Sequence, residues 1–458
     1  MADIHFSCEW CGQYLAAPDE YRGLGVNCPA CGQTTPVPPA FGIRSVGKGL
    51  AGTEEDGPAL TCPVCWLPFF VGDIMHIAVH DSLRGDPVLG EDAPQRFFAT
   101  RFNDLGQALD GMGSPCSELA CPHCRRKLPP GFLDAPHHII SLVGDQSAGK
   151  SYYLSVLAKV LPASLYRHFN VIMQDADPTG NSPLNDMKKV LFSAQTPAQA
   201  KLAKTQLEGA MYERLPRQGR MVALPKPFVY LLRAENGNAD RCALVFYDNA
   251  GEHFQPGINL VEQPGAQHVA SAEGILFLFD PFNSPEFRRL LKNVSDPQLE
   301  KEPLDQQDTI LAEMRTRIQS IRNLPVERKI QTPLAVLAGK CDAWLHLMTE
   351  PPFANPVRDG ALDLEALEAN SRRVRDLLRS VCPAIVANAE ALSENVCYFP
   401  VSSFGHTPVK QGPNASGQFD YVPDPARLAP YLVEIPPLWI LSKLSPALVP
   451  VKRDSAGN

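Results

Sequence analysis

Residues 138–161 read HIISLVGDQSAGKSYYLSVLAKVL, and this stretch decides the fold. Its first residues, His138 to Val143, form an apolar run that predicts a buried strand. Residues 152–161 carry apolar side chains at helical spacing and predict a helix. The residues between them, GDQSAGKS, match the pattern GxxxxGK[ST] in the strand–loop–helix context that this pattern requires. The stretch therefore predicts a phosphate-binding loop, which we call the phosphate loop (residues 144–151).

The residue types of the phosphate loop indicate how it would hold a nucleotide. Glycine lets the backbone curl until its N–H groups face an anion at the start of a helix. We expect the ammonium group of Lys150 to act as a catalytic cation at the β- and γ-phosphates, and the hydroxyl of Ser151 to bind Mg²⁺. The predicted nucleotide contacts are Gly144, Asp145, Gln146, Ser147, Ala148, Gly149, Lys150, Ser151 and Tyr152.

Apolar runs alternate with helical patterns along the rest of the chain. Strands are predicted at 228–232, 241–247, 274–279, 333–338 and 396–401, helical insertions at 184–192 and 198–212, and further helices at 310–321 and 430–444. This alternation predicts an α/β fold of the P-loop NTPase type, with a doubly wound and mainly parallel sheet. The ligand of such a sheet lies at the C-terminal edge of the strands.

Polar motifs follow three of these strands, at the edge where the ligand is expected. The sequence Asp248-Asn-Ala-Gly251 follows the strand at 241–247. An aspartate at this point holds Mg²⁺ in nucleotide hydrolases, and the glycine amide contacts the γ-phosphate. Gly339-Lys-Cys-Asp342 follows the strand at 333–338, and Ser402 and Ser403 follow the last strand.

Cysteines are concentrated at the start of the chain, where eight of them form four CxxC pairs. Each CxxC turn can direct two thiolates at one tetrahedral ion, and two pairs complete a structural zinc site. Free or redox-active thiols are the alternative. In the second site, Cys116 or His123 is an alternative ligand. The predicted zinc ligands are Cys8, Cys11, Cys28 and Cys31 in one site and Cys62, Cys65, Cys121 and Cys124 in the other.

The phosphate loop, the DxxG and xKxD motifs and the serine-rich turn, in this order, resemble those of GTPases of the translation-factor and Ras-like class. The resemblance covers about residues 138–442. More narrowly, the cysteine-rich front end joined to these motifs resembles bacterial double-GTPase family proteins. The resemblance implies a role in a multi-protein bacterial system.

The resemblance also implies how the base would be recognised. Asp342 would accept hydrogen bonds from N1 and the exocyclic amine of guanine, and Lys340 would pack along the ring. Backbone N–H groups of Ser402 and Ser403 would contact the guanine O6. Adenine lacks the matching donor pair, so charged hydrogen bonds of about 1.5–3 kcal/mol each favour guanine by a hundredfold or more. Gly339 stands where the family usually has Asn or Thr, which removes a brace to the phosphate loop. The alternative is a lysine and an aspartate on a surface turn.

Catalytic residues are less well defined than binding residues. Thr205 is the nearest candidate for the threonine that closes over Mg²⁺ before the strand at 228–232, the alternative being a threonine on a helix surface. Gly251 is followed by Glu252 and His253, where Ras-like enzymes have a glutamine. A carboxylate beside the γ-phosphate is unfavourable, so we predict slow hydrolysis, with His253 orienting water and a cation supplied by a protein partner or a second GTPase.

Composition excludes whole-chain disorder, since 44% of the residues are hydrophobic and 20% are charged. The net charge of −8 and the acidic front end argue against nucleic acid as a partner. No apolar run is long enough to cross a bilayer, and the first residues lack the features of a secretory signal, so we predict a cytoplasmic protein without membrane contact. The predicted domains are a zinc ribbon at 1–36, a linker at 37–59, a second zinc module at 60–135, the GTPase-like domain at 136–446 and a flexible tail at 447–458.

The function that these observations favour is a GTP-binding switch with slow intrinsic hydrolysis. Its cofactors would be GTP, Mg²⁺ and two structural zinc ions, with the zinc modules used for scaffolding or protein contact. Two alternatives are an ATP-using P-loop enzyme and a zinc-ribbon adaptor that binds nucleotide without turnover.

Overall fold

The computed structural model of the chain forms two compact units. Unit 1 comprises Met1–Phe132 and Glu213–Leu224, and unit 2 comprises Leu133–Tyr212 and Pro225–Asn458. The predicted domain boundaries stay predictions. The residues that the structure describes are 3–7, 13–18, 21, 25–37, 60–146, 148–202, 211–217, 220–235, 240–248, 267–304, 306–348, 353–413, 417 and 419–452.

Unit 1 is built from short antiparallel strands. The pairs are Asp3–Ser7 with Tyr14–Pro18, Gly25–Asn27 with Thr34–Pro36, Leu60–Thr61 with Pro68–Phe69, Arg84–Asp86 with Gly90–Pro94, and Ala108–Leu109 with Pro115–Cys116, while Met75–Ile77 lies between Arg96–Phe97 and Leu119–Ala120. Its apolar clusters are small: one gathers Met75, Ile77 and Ala120. Elements this short bury little apolar surface, so a unit of this kind depends on an additional link such as a metal ion.

Unit 2 contains a seven-stranded sheet. Its strands are β1 (His137–Gly144), β2 (Val171–Asp175), β3 (Phe228–Ala234), β4 (Arg241–Asp248), β5 (Gly274–Phe279), β6 (Leu334–Ala338) and β7 (Val396–Pro400). The order across the sheet is β2-β3-β4-β1-β5-β6-β7. The pairs from β4 to β7 are parallel, whereas β3 runs antiparallel to both β2 and β4. The prediction of an α/β fold with a mainly parallel sheet is confirmed.

Helices connect these strands. They are α1 (Lys150–Phe169), α2 (Ser182–Ser193), α3 (Gln267–Ser271), α4 (Pro285–Leu290), α5 (Gln307–Ile321), α6 (Leu364–Val381), α7 (Pro383–Leu392) and α8 (Ile435–Leu444). Every residue of β5 and β6 is buried, as expected for central parallel strands with both faces covered. Their continuous apolar sequences are the reason that these strands were predictable.

The segment between α1 and β3 differs from its prediction. Of the helix expected at 198–212, the described residues form a short 3₁₀ helix at Pro197–Ala200 and the strand Tyr212–Arg217, which pairs with Arg220–Pro225 as a hairpin, while residues 203–210 lie outside the described part. Buried Val222 and Leu224 alternate with more exposed neighbours, which is the period of a strand. Strand β2 was missed as well. It is an edge strand with one fully buried side chain, and its hydrophobic pattern is correspondingly weak.

The last described residues of unit 2 pair with a strand from the middle of the unit. Val451–Lys452 pairs in parallel with Ala361–Asp363, next to the buried Leu448 and Val449. These residues fall in the segment predicted to be a flexible tail, whereas residues 453–458 lie outside the described part. Among the described residues, no helix combines the length and apolar character needed to span a bilayer.

Candidate functional site

The phosphate loop connects the end of β1 to the start of α1. Gly149 takes a φ of 91°, a left-handed conformation that favours glycine, and its carbonyl accepts the helical hydrogen bond from Tyr153 N at 2.9 Å. The buried ammonium group of Lys150 donates to Gly144 O at 2.8 Å and to Asp145 O at 2.7 Å. A cation therefore lies over the curled backbone, where the sequence predicts that phosphate binds.

A hydroxyl and a carboxylate meet beside this loop. Ser151 Oγ donates to Asp248 Oδ2 at 2.7 Å. Asp248 is the last residue of β4, which neighbours β1 in the sheet, and it is 1% exposed. Oxygen ligands of this kind suit Mg²⁺, so the two residues predicted for magnesium are brought together.

The base loop, residues 339–342, follows β6 and is held between its neighbouring strands. Gly339 N donates to Phe279 O at 2.9 Å, and Cys341 N donates to Val401 O at 3.1 Å. Lys340 takes a left-handed conformation with a φ of 50°. These bonds fix the loop at the C-terminal edge of the sheet that also carries the phosphate loop.

The charged side chains of the base loop already have partners. Lys340 Nζ lies 2.7 Å from Asp280 Oδ2 and 4.6 Å from the centre of the Phe282 ring. Asp342 Oδ1 accepts from Ser402 Oγ at 2.5 Å. Any ligand at the base loop would therefore meet side chains that the protein already holds in place.

Ser402 differs from its prediction in the group that it offers. Its backbone N–H donates to Tyr431 O at 3.1 Å, so it is already used within the fold. Its hydroxyl contacts Asp342 instead and also accepts from Gly405 N at 2.8 Å. Ser403 is half-buried on the same turn. Spacing alone identified this turn but not which atom of Ser402 faces the site.

Sequence reasoning missed a turn that lies between the two loops. Asp280-Pro-Phe-Asn283, the DPFN turn, directly follows β5. Asn283 Nδ2 donates to Asp145 Oδ2 at 3.0 Å, while Asp280 holds Lys340. Burial raises the pKa of Asp145 above its usual range. The available signal in the sequence was Asp280, an acidic residue directly after a central strand, but this signal does not indicate which residue Asp280 contacts.

Tyr152 contacts protein rather than open space. Its hydroxyl donates to Ala200 O at 3.3 Å and accepts from Leu202 N at 3.1 Å. Its ring lies edge-on to Phe404, with 4.9 Å between the ring centres. Several other predicted site residues lie outside the described residues and stay predictions. They are Ser147, Thr205, Gly251, Glu252, His253, Cys8 and Cys11.

Unit 1 carries a separate candidate site, a group of buried thiols that we call the cysteine cluster. It consists of Cys62, Cys65, Cys121 and Cys124, whose sulfur atoms all lie within 4.8 Å of one another. The distance from Cys62 Sγ to Cys124 Sγ is 3.8 Å, and that from Cys65 Sγ to Cys121 Sγ is also 3.8 Å. A tetrahedral zinc with Zn–S bonds of about 2.3 Å requires sulfurs about 3.8 Å apart. The cluster therefore fits zinc.

The alternative ligands lie elsewhere. His123 Nε2 is 2.8 Å from Pro68 O, and Cys116 Sγ donates to Ser114 O at 3.5 Å. Burial raises the pKa of the Cys121 thiol well above its usual range. A cation is what would hold such a thiol as a thiolate in this position.

The turns that carry the cysteines repeat one geometry. Trp66 N donates to Cys62 O and Arg125 N donates to Cys121 O, both at 3.0 Å, and both donor residues have a left-handed φ, of 60° and 58°. Gly32 N donates to Cys28 O in the same way at 2.8 Å. The described half of the first predicted zinc site, with Cys28 buried and Cys31 exposed, thus has the same turn as both halves of the cysteine cluster.

The chain is similar to known proteins in sequence and in structure. No protein-family model matches the chain. Over 203 residues the chain is 26% identical to a Mycolicibacterium smegmatis protein named "Putative ESX-1 scaffolding and assembly protein SaeC". The match covers 42% of this chain and 46% of that protein, so the chain spans about half the length of this relative.

Among solved structures, the chain is similar to translation elongation factor SelB from Methanococcus maripaludis, determined with the GTP analogue GppNHp. The similarity covers 59% of this chain and 30% of SelB, with 11% sequence identity and a TM-score of 0.21.

Proposed function

We propose that unit 2 is a P-loop nucleotide-binding domain that binds GTP with Mg²⁺. One observation carries the proposal: motif residues that follow separate strands of a single sheet meet at its C-terminal edge. Lys150 and Ser151 follow β1, Asp248 ends β4, and the base loop follows β6. Open α/β sheets bind ligands at this edge.

The phosphate end of the nucleotide would be bound by the phosphate loop. Lys150 would exchange its bonds to Gly144 O and Asp145 O for bonds to phosphate oxygens. The oxygens of Ser151 and Asp248 would hold Mg²⁺, which neutralises phosphate charge when bound. The first N–H groups of α1, which follow the left-handed turn at Gly149, would donate to the same anion.

The base end would be bound by Asp342. Its carboxylate offers acceptors that match the donor pair of guanine and do not match adenine. The bond from Ser402 fixes the orientation of this carboxylate before the base arrives, which supports recognition by a pre-set group. Lys340, held by Asp280 above the Phe282 ring, would lie along the base.

Hydrolysis is the finer part of the proposal. We infer that His253 orients the attacking water, that Glu252 makes the intrinsic reaction slow, and that Thr205 closes over Mg²⁺. A cation from a protein partner or a second GTPase would then raise the rate, as arginine fingers do by about 10³–10⁵-fold.

Unit 1 would serve protein contact. We propose structural zinc ions in the cysteine cluster and in the site completed by Cys8 and Cys11. Sites with four cysteine ligands leave no position open for chemistry, which supports a scaffold. The mycobacterial relative is named for scaffolding and assembly in ESX-1, and a protein partner for this chain agrees with that name.

The test is calorimetric titration of the zinc-loaded full chain with GTP and with ATP, each with Mg²⁺. We expect GTP to bind more tightly than ATP by about a hundredfold. Lys150→Ala should lower GTP affinity at least as much. Lys159→Ala, an exposed lysine further along α1, is the matched control and should leave it unchanged. Equal affinity for ATP, or no uptake of GTP by the unaltered chain, would overturn the proposal. Phosphate release measured in parallel separates a slow GTPase from an adaptor without turnover.

A further inference from the structure

The phosphate loop and the base loop need a physical link, because a nucleotide must contact both at once. In this chain the base loop begins with Gly339, which has no side chain to reach across. A Cβ atom added at Gly339 would lie 3.0 Å from Phe279 O and 3.3 Å from Leu278 Cδ1. A side chain at this position would push these neighbours aside by a few tenths of an ångström, and glycine supplies none, so the link must come from elsewhere.

The DPFN turn contacts both loops. At one end, Asp280 Oδ2 is 2.7 Å from Lys340 Nζ in the base loop. At the other end, Asn283 Nδ2 donates at 3.0 Å to Oδ2 of Asp145 in the phosphate loop. Both turn residues are buried, at 2% and 8% exposure, so water competes weakly for these bonds.

The turn itself is fixed by its own hydrogen bonds. Gln307 of α5 accepts from Asp280 N at 2.7 Å and donates to Asp280 O at 2.9 Å. Asp280 Oδ1 accepts from Phe282 N at 3.0 Å, and Asn283 N donates to Asp280 O at 3.0 Å. Because these hydrogen bonds hold the DPFN turn in one conformation, the turn can fix the positions of the two loops that it contacts.

The chemistry of the link suits an anion-binding loop. Asp145 is a buried carboxylate in a loop that would receive phosphate, so its orientation matters electrostatically. Its Oδ1 accepts from Gln146 N at 2.7 Å and its Oδ2 accepts from Asn283. The amide of Asn283 is a neutral donor. It therefore satisfies the Asp145 carboxylate without placing beside it a second positive charge that would compete with Lys150.

We propose that Asn283 is a positioning residue for nucleotide binding: its amide fixes the phosphate loop through Asp145, and Asp280 on the same turn fixes the base loop through Lys340. The DPFN turn thereby provides the brace that Gly339 lacks. This inference rests on the proposed function and adds a residue that determines how tightly both ends of the nucleotide are held.

The test exchanges the two partners. Asn283→Asp opposes two carboxylates and should weaken GTP affinity about tenfold or more. Asp145→Asn alone should weaken it less, because Gln146 N keeps its acceptor. The double variant Asp145→Asn with Asn283→Asp restores one donor and one acceptor with reversed polarity, and it should return the affinity to within about threefold of the unaltered chain.

A matched control removes the same chemistry outside the site. Asn185 Nδ2 donates at 2.7 Å to Oδ2 of Asp175, the last residue of β2, so Asn185→Asp opposes two carboxylates there. It should leave GTP affinity unchanged. Gly339→Asn in the Asn283→Ala background should not restore affinity, because of the contact with Phe279 O.

The outcomes separate this inference from the proposed function. The thermal unfolding of every variant is measured without nucleotide. We expect the loss of GTP affinity to be larger than any loss of folded protein would cause. If the unaltered chain binds GTP and Asn283→Asp binds it equally well, the inference is overturned and the proposed function stands. If the double variant is as weak as Asn283→Asp, the pairing with Asp145 is also overturned. If the unaltered chain binds no GTP, the proposed function itself is wrong.

Discussion

The cysteine cluster and the candidate nucleotide site satisfy their polar groups in opposite ways. In the cluster, four buried sulfurs lie at the spacing of a zinc tetrahedron, where a bound cation would complete the site. In the nucleotide site, each charged group is paired within the protein: Lys150 with loop carbonyls, Lys340 with Asp280, and Asp342 with Ser402.

This difference has a thermodynamic consequence. A site that is incomplete without its ligand couples ligand binding to folding, whereas a site closed on itself folds first and exchanges bonds later. Unit 1 should therefore depend on zinc for its structure. Unit 2 should keep its fold without nucleotide, as the complete packing of its central strands also indicates.

The largest expected effect comes from breaking the cysteine cluster. Cys65→Ser should remove one zinc per chain and unfold unit 1, because a structural zinc contributes on the order of 10 kcal/mol to folding. Metal analysis and hydrogen exchange along the chain measure both changes. Exchange in unit 2 should stay slow. Cys116→Ser, at a buried cysteine outside the cluster, is the control and should retain all zinc. Full zinc content in Cys65→Ser would contradict the assignment.

The two sites also differ in how much the sequence reveals. The CxxC pairs were predictable because ligand type and short spacing are written locally, and β1, β5 and β6 were predictable because buried strands have continuous apolar sequences. The pairing of Cys62 with Cys124, 62 residues away, was predicted as well, and the fold decides against Cys116 and His123 as alternative ligands by placing them on other partners. The DPFN turn could not be predicted in its role, since the contacts of Asp280 and Asn283 depend on the order of strands across the sheet.

The second expected effect concerns the choice between guanine and adenine at the candidate nucleotide site. Asp342→Asn keeps an oxygen that can accept from Ser402 Oγ but replaces the second acceptor with a donor, so the fold persists and the match to guanine is lost. We expect the preference for GTP over ATP to fall by about a hundredfold. Competition binding measures this ratio. Asp359→Asn, at an exposed aspartate near Lys452, should leave it unchanged. A variant that keeps the preference would place base recognition outside the base loop.

The third effect separates the two units by their response to acid. Burial, reinforced by the charge of His138, lowers the pKa of His137 at the start of β1 to about 4, from an ordinary value near 6.5. Between pH 4 and pH 6.5, His137 therefore binds a proton in the unfolded chain but not in the folded chain. The stability that this provides is complete above pH 6.5 and is lost as the pH falls toward 4, by about 1–3 kcal/mol.

The measurement is urea unfolding of unit 2 at pH 7 and pH 4.5. His137→Gln should flatten this pH dependence in unit 2, whereas unit 1 should still lose its zinc as its thiolates take up protons. His346→Gln, at an exposed histidine, serves as the control and should keep the dependence of the unaltered chain. An unchanged slope in His137→Gln would mean that other groups carry the acid response.

The smallest effect tests how firmly unit 1 holds its segment Glu213–Leu224, which is distant in sequence from the rest of the unit. Arg126, two residues after the cysteine cluster ends, lies with Nη1 3.0 Å from Glu213 Oε1 and donates from Nη2 to Arg214 O at 3.2 Å. Both charged side chains are about a quarter to a third exposed, at 32% and 26%, so water and salt weaken their attraction.

A double-mutant cycle with Arg126→Ala and Glu213→Gln should give a coupling energy of about 0.2–1 kcal/mol, which falls as salt is raised. Zinc content should stay unchanged in all three variants, because the cluster closes without either side chain. Hydrogen exchange in residues 213–217 should rise in Arg126→Ala more than in Glu213→Gln, since only the arginine also binds the backbone of Arg214. A coupling energy well above 1 kcal/mol that salt does not reduce would mean that the pair is shielded from water. Unit 1 would then hold this segment as firmly as the rest of its strands.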